Sequence, residues 1–226
     1  MSSVLRIKVE PEESDFYSED YFERGLETGL SFYQNYRWIP ELTIPMAMTM
    51  IDYLGLTREH RILDFGCAKG FLVKALRMLY RQAWGIDISQ YAIDNCDPEV
   101  KLYCMHPRSI LYHSLPLSYD FCIAKDVFEH MSEGGLKTVL SQLNCRKIFA
   151  VIPLGDSTIY RAPINNCDPS HQICATEYWW INFFKENGWY LEDFKLQIPG
   201  IKDNYYGQFP DAHGFFLIVN RKVTSK

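Results

Sequence analysis

Two carboxylates and two glycines at regular spacing are the first candidates for chemistry in this chain. Asp64, Gly66 and Gly70 lie in the segment ILDFGCAKGFL, between an apolar run and a stretch with helical spacing. Glycine in such a turn lets the backbone approach a ligand, because a Cβ atom would be in the way. Asp87 follows the next apolar run at a spacing close to the about 20 residues expected of a carboxylate that binds a ribose diol. A helix N-cap is the alternative role for Asp87.

Strands and helices that alternate along the chain must position these residues. Apolar runs predict strands over 61–65, 83–88, 100–105, 119–124 and 147–152. Helical spacing predicts helices over 71–80, 90–95 and 135–143. The alternation predicts a parallel sheet with helices on both faces, where ligands bind beyond the carboxyl ends of the strands.

The two ends of the chain differ from this alternating pattern. Residues 19–54 are mostly helical in pattern, with Ile44, Met48, Ile51 and Leu54 expected to face the core and Gly55 to end the helix. A long connection over 153–174 precedes a helix over 176–187 and two strands, 190–197 and 214–220, which could pair antiparallel. We expect residues 1–55 to form an N-terminal helical segment and lid, and residues 56–226 to form one α/β domain.

Composition limits the classes of partner. The net charge is −5 over 226 residues, and no cluster of Lys and Arg forms the basic footprint of a nucleic-acid-binding protein. The seven cysteines are odd in number and include no CxxC pair, which indicates reduced thiols and a cytoplasmic location. No run approaches the about 18 apolar residues of a membrane span, and the N-terminus lacks the apolar region of a signal peptide.

Three segments, taken in order, resemble motifs of the class I S-adenosylmethionine-dependent methyltransferases. They are DFGCAKG at 64–70, GIDIS at 85–89 and YDFCIAKDVFEHM at 119–131. The third is similar to the fourth-strand motif of the subgroup that acts on small molecules, and the resemblance covers about residues 60–155. Two departures stand out: Ala68 replaces the usual Gly, and the segment MHPRS at 105–109 lacks an Asp that often reaches the adenine amine.

The resemblance implies a fold and a cofactor. The fold is a Rossmann-like, three-layer α/β sandwich with a seven-stranded, mostly parallel sheet whose last strand is antiparallel, plus an N-terminal helical lid. The cofactor is S-adenosylmethionine, and S-adenosylhomocysteine is the product. The backbone around Asp64, Gly66, Cys67, Ala68 and Gly70 would hold the methionine part of the cofactor.

The remaining cofactor contacts implied by the resemblance come from five further residues. Asp87 would accept hydrogen bonds from the ribose hydroxyls, and Ile88 would pack on the adenine. Lys125 and Asp126 would lie near the methionine end. Arg37, in an aromatic and basic N-terminal cluster, could pair with the cofactor carboxylate.

Candidate residues for the methyl acceptor come from the third motif, the long connection and the N-terminal segment. His171, in a stretch similar to one found in small-molecule and sugar methyltransferases, is a candidate base or acceptor contact, and His130 is a second candidate base or a structural histidine. Arg161 and Tyr36 are candidate acceptor contacts. The spacing of Cys167, His171 and Cys174 fits no common zinc site, so no metal is expected.

These observations favour transfer of a methyl group to a hydroxyl or amine of a small molecule, such as a saccharide or a secondary metabolite. No Asn/Asp-Pro-Pro-Tyr/Phe motif follows the fourth strand, which disfavours nucleobase and glutamine acceptors. An RNA, tRNA or protein methyltransferase and a non-catalytic S-adenosylmethionine-binding module are the alternatives. A nicotinamide-dependent dehydrogenase is disfavoured because the glycine turn lacks the G-x-G-x-x-G spacing. The protein is expected to be a monomer or a homodimer.

Overall fold

A seven-stranded sheet with helices around it organises residues 15–112 and 116–220, which the computed structural model describes. The strands are β1 Arg61–Phe65, β2 Gln82–Ile86, β3 Cys104–Met105, β4 Tyr119–Lys125, β5 Cys145–Pro153, β6 Trp189–Lys195 and β7 His213–Asn220. Their order in the sheet is β3-β2-β1-β4-β5-β7-β6. β2 runs parallel to β1 and to β3, whereas β7 runs antiparallel to β5 and to β6. The expected mostly parallel, Rossmann-like sheet with an antiparallel last strand is confirmed.

The helices largely follow the predicted positions. They are α1 Glu19–Glu23, α2 Gly25–Thr28, α3 Pro40–Leu54, α4 Phe71–Met78, α5 Gln90–Asp94, α6 Glu133–Gln142, α7 Glu177–Glu186 and α8 Asp203–Tyr206. The side-chain oxygens of Ser89, Ser132 and Thr176 each accept a backbone N–H in the first turn of α5, α6 and α7. These caps explain why the three helices begin where they do.

The predicted buried face of α3 is confirmed at Leu54 and is displaced by one residue at the other three positions. The buried side chains are Thr43, Ala47, Met50 and Leu54, and Met48 is half exposed. Both sets of positions have helical spacing, so the apolar pattern of this segment could not select between two adjacent faces. The predicted end of the helix is confirmed, because Gly55 adopts a left-handed φ of 62°.

The third strand is shorter than predicted. Only Cys104 and Met105 pair with β2, through Gly85 and Ile86. Residues Lys101–Tyr103 instead form a 3-10 turn, and the N–H of Tyr103 donates to the carbonyl of Val100 at 2.8 Å. Turns around Val100 therefore use the backbone groups that a longer strand would need.

Two compact units divide the chain, one ending at Tyr119 and one beginning at Asp120. The first contains α1 to α5 with β1 to β3, and the second contains β5 to β7 with α6 to α8. The separate boundary expected near residue 55 stays a prediction. Among the described residues, no helix has the length and apolar character needed to cross a membrane.

Candidate functional site

The glycine turn after β1 is built from alternating left-handed residues. Gly66, Ala68 and Gly70 have φ values of 80°, 48° and 78°. The N–H groups of Gly66 and Cys67 both donate to the carbonyl of Ile86, at 2.8 and 3.0 Å, which ties the turn to the end of β2. Ala68 occupies a region that costs a residue with a Cβ atom about 1–2 kcal/mol. The turn therefore requires a left-handed backbone conformation at Ala68, where a residue with a Cβ atom is less stable than glycine.

Asp87 holds this turn in place. Its carboxylate oxygens accept the N–H of Ala68 at 2.7 Å and the N–H of Ser89 at 2.8 Å. Burial raises the pKa of Asp87 to about 6, against the lowering effect of these two hydrogen bonds. A carboxylate has about four lone-pair sites, so two remain for further donors such as ribose hydroxyls. The remaining lone pairs therefore fit the predicted cofactor role. The alternative role as a helix N-cap is wrong, because Ser89 caps α5 and its hydroxyl accepts the N–H of Ala92.

Three buried thiols lie beneath the turn. A Cβ atom on Gly70 would lie 2.7 Å from the Sγ of Cys104 and 2.8 Å from the Sγ of Cys96. A Cβ atom on Gly85 would lie 2.6 Å from the Sγ of Cys67. Burial is the main reason that the pKa of Cys67 rises to about 12, so its thiol stays protonated. Gly70 and Gly85 are therefore required for packing, whatever the turn binds.

The N-terminal segment packs onto the same turn. Lys69 forms an ion pair with Glu23 and donates to the carbonyl of Tyr36 at 2.9 Å. The ring of Tyr36 packs against Phe71, with ring centroids 5.2 Å apart. Burial raises the pKa of Tyr36 well above its ordinary value, with contributions from Tyr33 and the carboxylates of Asp64 and Asp87.

The predicted N-terminal site residues therefore have different surroundings. Tyr36, predicted to contact the acceptor, lies among the predicted cofactor residues. Arg37 has an exposed side chain. Asp64 is buried, and Ile88 is half-buried.

His106 was not predicted to contribute to this region. It is buried after β3, where its Nδ1 accepts the N–H of Arg108 at 3.1 Å. This contact fixes the tautomer, so Nε2–H donates to the carbonyl of Ile88 at 3.0 Å. Burial is the main cause of its lowered pKa. His106 thus supports the residue predicted to pack on the adenine, at the position where the family often has an Asp.

A second group of charged residues lies in the unit that begins at Asp120. Asp126 has a left-handed φ of 56°, and its Oδ2 lies 2.6 Å from the Nζ atoms of both Lys125 and Lys202. Burial raises the pKa of Asp126, but the two ammonium groups outweigh it and hold that pKa well below its ordinary value. Lys202 was not predicted, because nothing in the loop sequence around it indicates a half-buried ion pair.

Glu129, His130 and His171 form a third group. The Oε1 of Glu129 lies 3.8 Å from the Nε2 of His130, and the two imidazole rings have centroids 4.6 Å apart. The N–H groups of Gln172 and Ile173 donate to the carbonyl of Glu129 at 2.7 and 3.0 Å. The structure therefore brings the two predicted histidines together and adds a buried glutamate. In the sequence, the position of Glu129 directly before His130, after β4, could have indicated that it belongs to this group.

Neighbouring groups fix the orientation of both imidazoles. The Nδ1 of His171 lies 2.8 Å from the carbonyl of Asn165, which can only accept, so Nδ1 carries the proton. The hydroxyl of Ser170 donates to Asp168, so it accepts a hydrogen bond from the Nδ1 of His130 at 2.8 Å. In the neutral imidazoles the Nε2 atoms therefore carry the lone pairs.

Burial dominates the electrostatics of this group. It raises the pKa of Glu129 well above its ordinary value, and the charge of Asp126 adds to this effect. Burial, followed by the neighbouring His171, lowers the pKa of His130 to about 4. Burial also lowers the pKa of His171. Both imidazoles are therefore neutral at pH 7.

Arg161 has different surroundings from those expected. Its guanidinium forms an ion pair with Glu177 at 2.5 Å and lies 3.8 Å from the carboxylate of Asp211. The two acidic groups already balance its charge, so its predicted contact with an anionic acceptor stays a prediction. His171 lies with Glu129 and His130, and no metal-ligand group within the described ranges combines it with Cys167 and Cys174.

Residues 63–143 match a protein-family model described as "Methyltransferase domain". The match covers less than half of the chain, and within it the chain is similar to a methyltransferase domain. The match includes all three motifs on which the resemblance rested. No sequence among the curated proteins matches this chain.

Solved structures of methyltransferases share the fold of this chain. One is Burkholderia thailandensis 1,6-didemethyltoxoflavin-N1-methyltransferase, with a TM-score of 0.57, 13% identity, and coverage of 92% of this chain and 86% of that one. A methyltransferase solved with the Haloferax volcanii Trm112 activator gives a TM-score of 0.61, 12% identity, and coverage of 94% and 99%. The pyocyanin biosynthetic protein PhzM gives a TM-score of 0.55, with 11% identity and coverage of 80% of this chain. The matched part of this chain spans 55% of PhzM and 54% of the mitomycin 7-O-methyltransferase MmcR, about half the length of each.

Proposed function

We propose that this methyltransferase transfers the methyl group of S-adenosylmethionine to a hydroxyl group of a small molecule. The observation that carries the proposal is the contact of Asp87 with Ala68 and Ser89, at 2.7 and 2.8 Å. It places a half-buried carboxylate at the glycine turn, and that carboxylate keeps lone pairs for the ribose. The cofactor supplies an electrophilic methyl group when bound, so the protein mainly positions the reactants.

The turn and the N-terminal segment are the proposed cofactor site. Backbone groups of Gly66, Cys67, Ala68 and Gly70, together with Asp64, would hold the methionine part, and Ile88 would pack on the adenine. Tyr36 was expected to contact the acceptor, and we now propose it as part of the cofactor site. It packs in the same cluster as Ala68, and the charges of Asp64 and Asp87 contribute to raising its pKa. Lys125, Asp126 and Arg37 remain proposed contacts for the methionine end.

The proposed acceptor site is the group formed by Glu129, His130 and His171. The Nε2 lone pair of His171 can accept a hydrogen bond from an acceptor hydroxyl, because its Nδ1–H is held by Asn165. The net charge of −5 supports a small-molecule acceptor over a nucleic acid. Several fold neighbours act on small molecules, as MmcR does by its name.

Cofactor binding tests the first half of the proposal. Calorimetry should detect S-adenosylhomocysteine binding to the wild type, and Asp87→Ala should weaken it more than about tenfold, since charge-assisted hydrogen bonds contribute about 1.5–3 kcal/mol each. Asp94→Ala is the matched control, because Asp94 is an exposed acid on α5. Circular dichroism verifies that both variants fold. No binding to the wild type would remove the proposal.

Incubation with cofactor labelled on the methyl group tests the second half. Label in a low-molecular-weight fraction of a cell extract supports the small-molecule acceptor. Label in RNA or protein supports the alternative acceptor classes. Bound cofactor without transfer to any fraction would leave a non-catalytic binding module.

The proposed location is the cytoplasm, and the proposed assembly is a monomer or a homodimer. All seven cysteines are free thiols, and five of them are buried. Free thiols are expected in a reducing compartment. Cell fractionation tests the location, and light scattering tests the assembly.

A further inference from the structure

Two lysines and a histidine surround the carboxylate of Asp126 in the unit that begins at Asp120. The Nζ atoms of Lys125 and Lys202 each lie 2.6 Å from the same carboxylate oxygen, Oδ2 of Asp126, and the three side chains are 15–25% exposed. Burial, followed by the charge of Lys202, lowers the pKa of His213 to about 3, so this imidazole is neutral at pH 7. These four residues form a lysine cluster that solvent partly reaches.

The lysine cluster lies at the edge of the sheet where ligands bind. Lys125 is the last residue of β4, and the N–H of Asp126 donates to the carbonyl of Val151 in β5 at 2.9 Å. His213 begins β7 and pairs with Pro153, the last residue of β5. Ligands of open α/β sheets bind beyond the carboxyl ends of the strands. The cluster therefore occupies a position suited to ligand binding.

The loop between β6 and β7 holds Lys202 at this edge. Lys202 has a left-handed φ of 64°, and its ion-pair partner Asp126 has a left-handed φ of 56°. The hydroxyl of Tyr206 accepts the N–H of Ile198 at 2.9 Å and donates to the carbonyl of Ile201, which fixes the loop just before Lys202. Residues held in such sparsely populated conformations cluster at functional sites. Two of them meet in this ion pair.

The charges of the lysine cluster do not cancel. Asp126 is ionised, because the two ammonium groups outweigh burial and hold its pKa well below its ordinary value. Burial lowers the pKa of Lys202, but the charge of Asp126 opposes this effect and favours the ammonium form. Burial raises the pKa of nearby Glu129, so its carboxyl group is neutral. Two positive charges and one negative charge leave one positive charge, which is unfavourable in half-buried surroundings unless an anion compensates it.

His213 provides an independent observation. Its side chain is buried at 2% exposure, and its Nδ1 has no hydrogen-bond partner among the residues that the structure describes. Buried polar atoms nearly always have a partner. The ring of His213 packs against Tyr205 with centroids 4.5 Å apart, and the Nζ of Lys202 lies 5.3 Å from the centroid of the same Tyr205 ring. An N–H group at Nδ1 can donate to an anion that Lys202 attracts.

We propose that Lys202 and His213 bind a carboxylate group of the methyl acceptor. A carboxylate carries one negative charge, which matches the single uncompensated charge of the lysine cluster, whereas a phosphate group carries nearly two. The ring of Tyr205 offers a flat apolar surface for the rest of the acceptor.

This inference rests on the proposed function and names the substrate class of the same reaction. Burial lowers the pKa of His171, and the charge of Lys202 adds to that lowering, so the ammonium group lies within electrostatic range of the proposed acceptor site. The acceptor is then a hydroxy acid, with its hydroxyl group at His171 and its carboxylate at Lys202. The carboxylate fixes the orientation of the molecule, and orientation is the main contribution of the protein to methyl transfer.

Fluorine NMR titration with 4-fluorobenzoate and with trifluoroacetate tests the site without methyl transfer. We expect the wild type to bind both carboxylates at millimolar concentration and to bind neutral 4-fluorobenzamide at least about tenfold more weakly. Lys202→Met should weaken carboxylate binding more than about tenfold, which is the order expected for a hydrogen bond to a charged group. Lys185→Met is the matched control, because Lys185 is an exposed lysine of α7.

A second variant distinguishes anion binding from a structural role of the ion pair. Asp126→Asn removes the negative charge that competes with the ligand, so it should strengthen carboxylate binding while Lys202→Met weakens it. Circular dichroism verifies that both variants fold. A folded Asp126→Asn variant that loses carboxylate binding, as Lys202→Met does, would overturn the inference, because the intact ion pair rather than the surplus positive charge would then be required.

Repetition of the titration with saturating S-adenosylhomocysteine, which has its own carboxylate, separates acceptor from cofactor. Probe binding should persist in the complex, and Lys202→Met should leave the affinity for S-adenosylhomocysteine within about twofold of the wild type. Loss of probe binding in the complex would overturn the inference, because the lysine cluster would then serve the cofactor. Absence of probe binding by the wild type, or binding unchanged in Lys202→Met, would overturn it as well.

The remaining outcomes separate this inference from the proposed function. Carboxylate binding by a protein that transfers no label to any acceptor would remove the proposed function and leave the site. A labelled product that an anion-exchange resin retains at pH 7 supports the hydroxy acid. A labelled small molecule that the resin does not retain would overturn the inference and leave the proposed function intact.

Discussion

Replacement of Gly70 by alanine should be among the most destabilising glycine substitutions in the first unit. Two separate costs act at this position. Gly70 has a left-handed φ of 78°, which opposes any residue with a Cβ atom. The new Cβ atom would also lie 2.7 Å from Cys104 Sγ, 2.8 Å from Cys96 Sγ and 3.2 Å from a methyl group of Val100. Both distances to sulfur are shorter than van der Waals contact, so neighbouring groups must move.

Two other glycines separate these costs. Gly55 has a φ of 62°, and a Cβ atom there would have no neighbour within 4 Å, so Gly55→Ala should cost only the backbone strain of about 1 kcal/mol. Gly85 has no positive φ, but its Cβ atom would lie 2.7 Å from the Cβ of Cys67, so Gly85→Ala should cost about 1–3 kcal/mol of overpacking. Gly70→Ala combines both effects and should cost about 2–4 kcal/mol.

Urea denaturation of the three variants and the wild type measures these costs. The free energy of unfolding should decrease least for Gly55→Ala, more for Gly85→Ala and most for Gly70→Ala, and thermal midpoints should fall by about 2–4 °C per kcal/mol. Similar losses for Gly70→Ala and Gly55→Ala would refute the reasoning, because they would show that Cys96 and Cys104 leave room for a methyl group beneath the turn.

Three further predictions concern charged groups. The pKa of Asp87 is raised to about 6 in the free protein, and the ionised form binds ribose best. The affinity for S-adenosylhomocysteine, measured by calorimetry, should therefore be full above pH 7 and fall about tenfold per pH unit below pH 6. An affinity that does not change from pH 5 to 8 would contradict this prediction. Asp126→Asn should reduce the free energy of unfolding by about 3 kcal/mol, and, because the pKa of Asp126 is lowered, the deficit should be constant from pH 5 to 8 and shrink only below pH 4. Glu192→Gln removes one partner of an exposed ion pair and should reduce the free energy of unfolding by under about 1 kcal/mol in the same denaturation assay. Equal losses for Asp126→Asn and Glu192→Gln would contradict the larger contribution expected of the half-buried ion pair. Glu23→Gln should accelerate proteolysis of the N-terminal segment, because Glu23 pairs with Lys69 in the glycine turn; unchanged cleavage in a time course would count against that anchor.

The sequence predicted the sheet and its order of elements well, because alternating apolar runs respond directly to burial in a parallel sheet. β1 was predicted at its observed bounds, and the antiparallel end of the sheet was expected from the loop before β7. The buried face of α3 was predicted correctly only at Leu54, because the segment is apolar at adjacent helical positions. β3 was overestimated, because apolar composition does not reveal that turns already use the backbone hydrogen bonds.

The candidate site was predictable only where it depends on neighbours in sequence. Asp87 and the glycine turn could be identified from spacing along two consecutive strands. Lys202 joins Asp126 from a loop 76 positions further along, a distance over which no pattern extends. Glu129 was present in the motif, but its burial depends on the packing of the long connection around it, which also leaves its Oε2 without a hydrogen-bond partner in the described part of the chain. Long-range side-chain contacts of this kind require three-dimensional structure.

The long connection before α7 is closed at its base by its own backbone. Gly155 donates to the carbonyl of Ala175 at 2.9 Å, Arg161 donates to the carbonyl of Leu154 at 2.8 Å, and the hydroxyl of Tyr160 donates to the carbonyl of Ile173 at 2.8 Å. The tip between residues 156 and 159 is exposed and lies outside these contacts. Loop extension adds little entropic cost once the ends are held. Foreign peptides grafted at this tip should therefore leave the positions of His130 and His171 unchanged. The tip is thus a place to engineer new acceptor preferences or to attach a label.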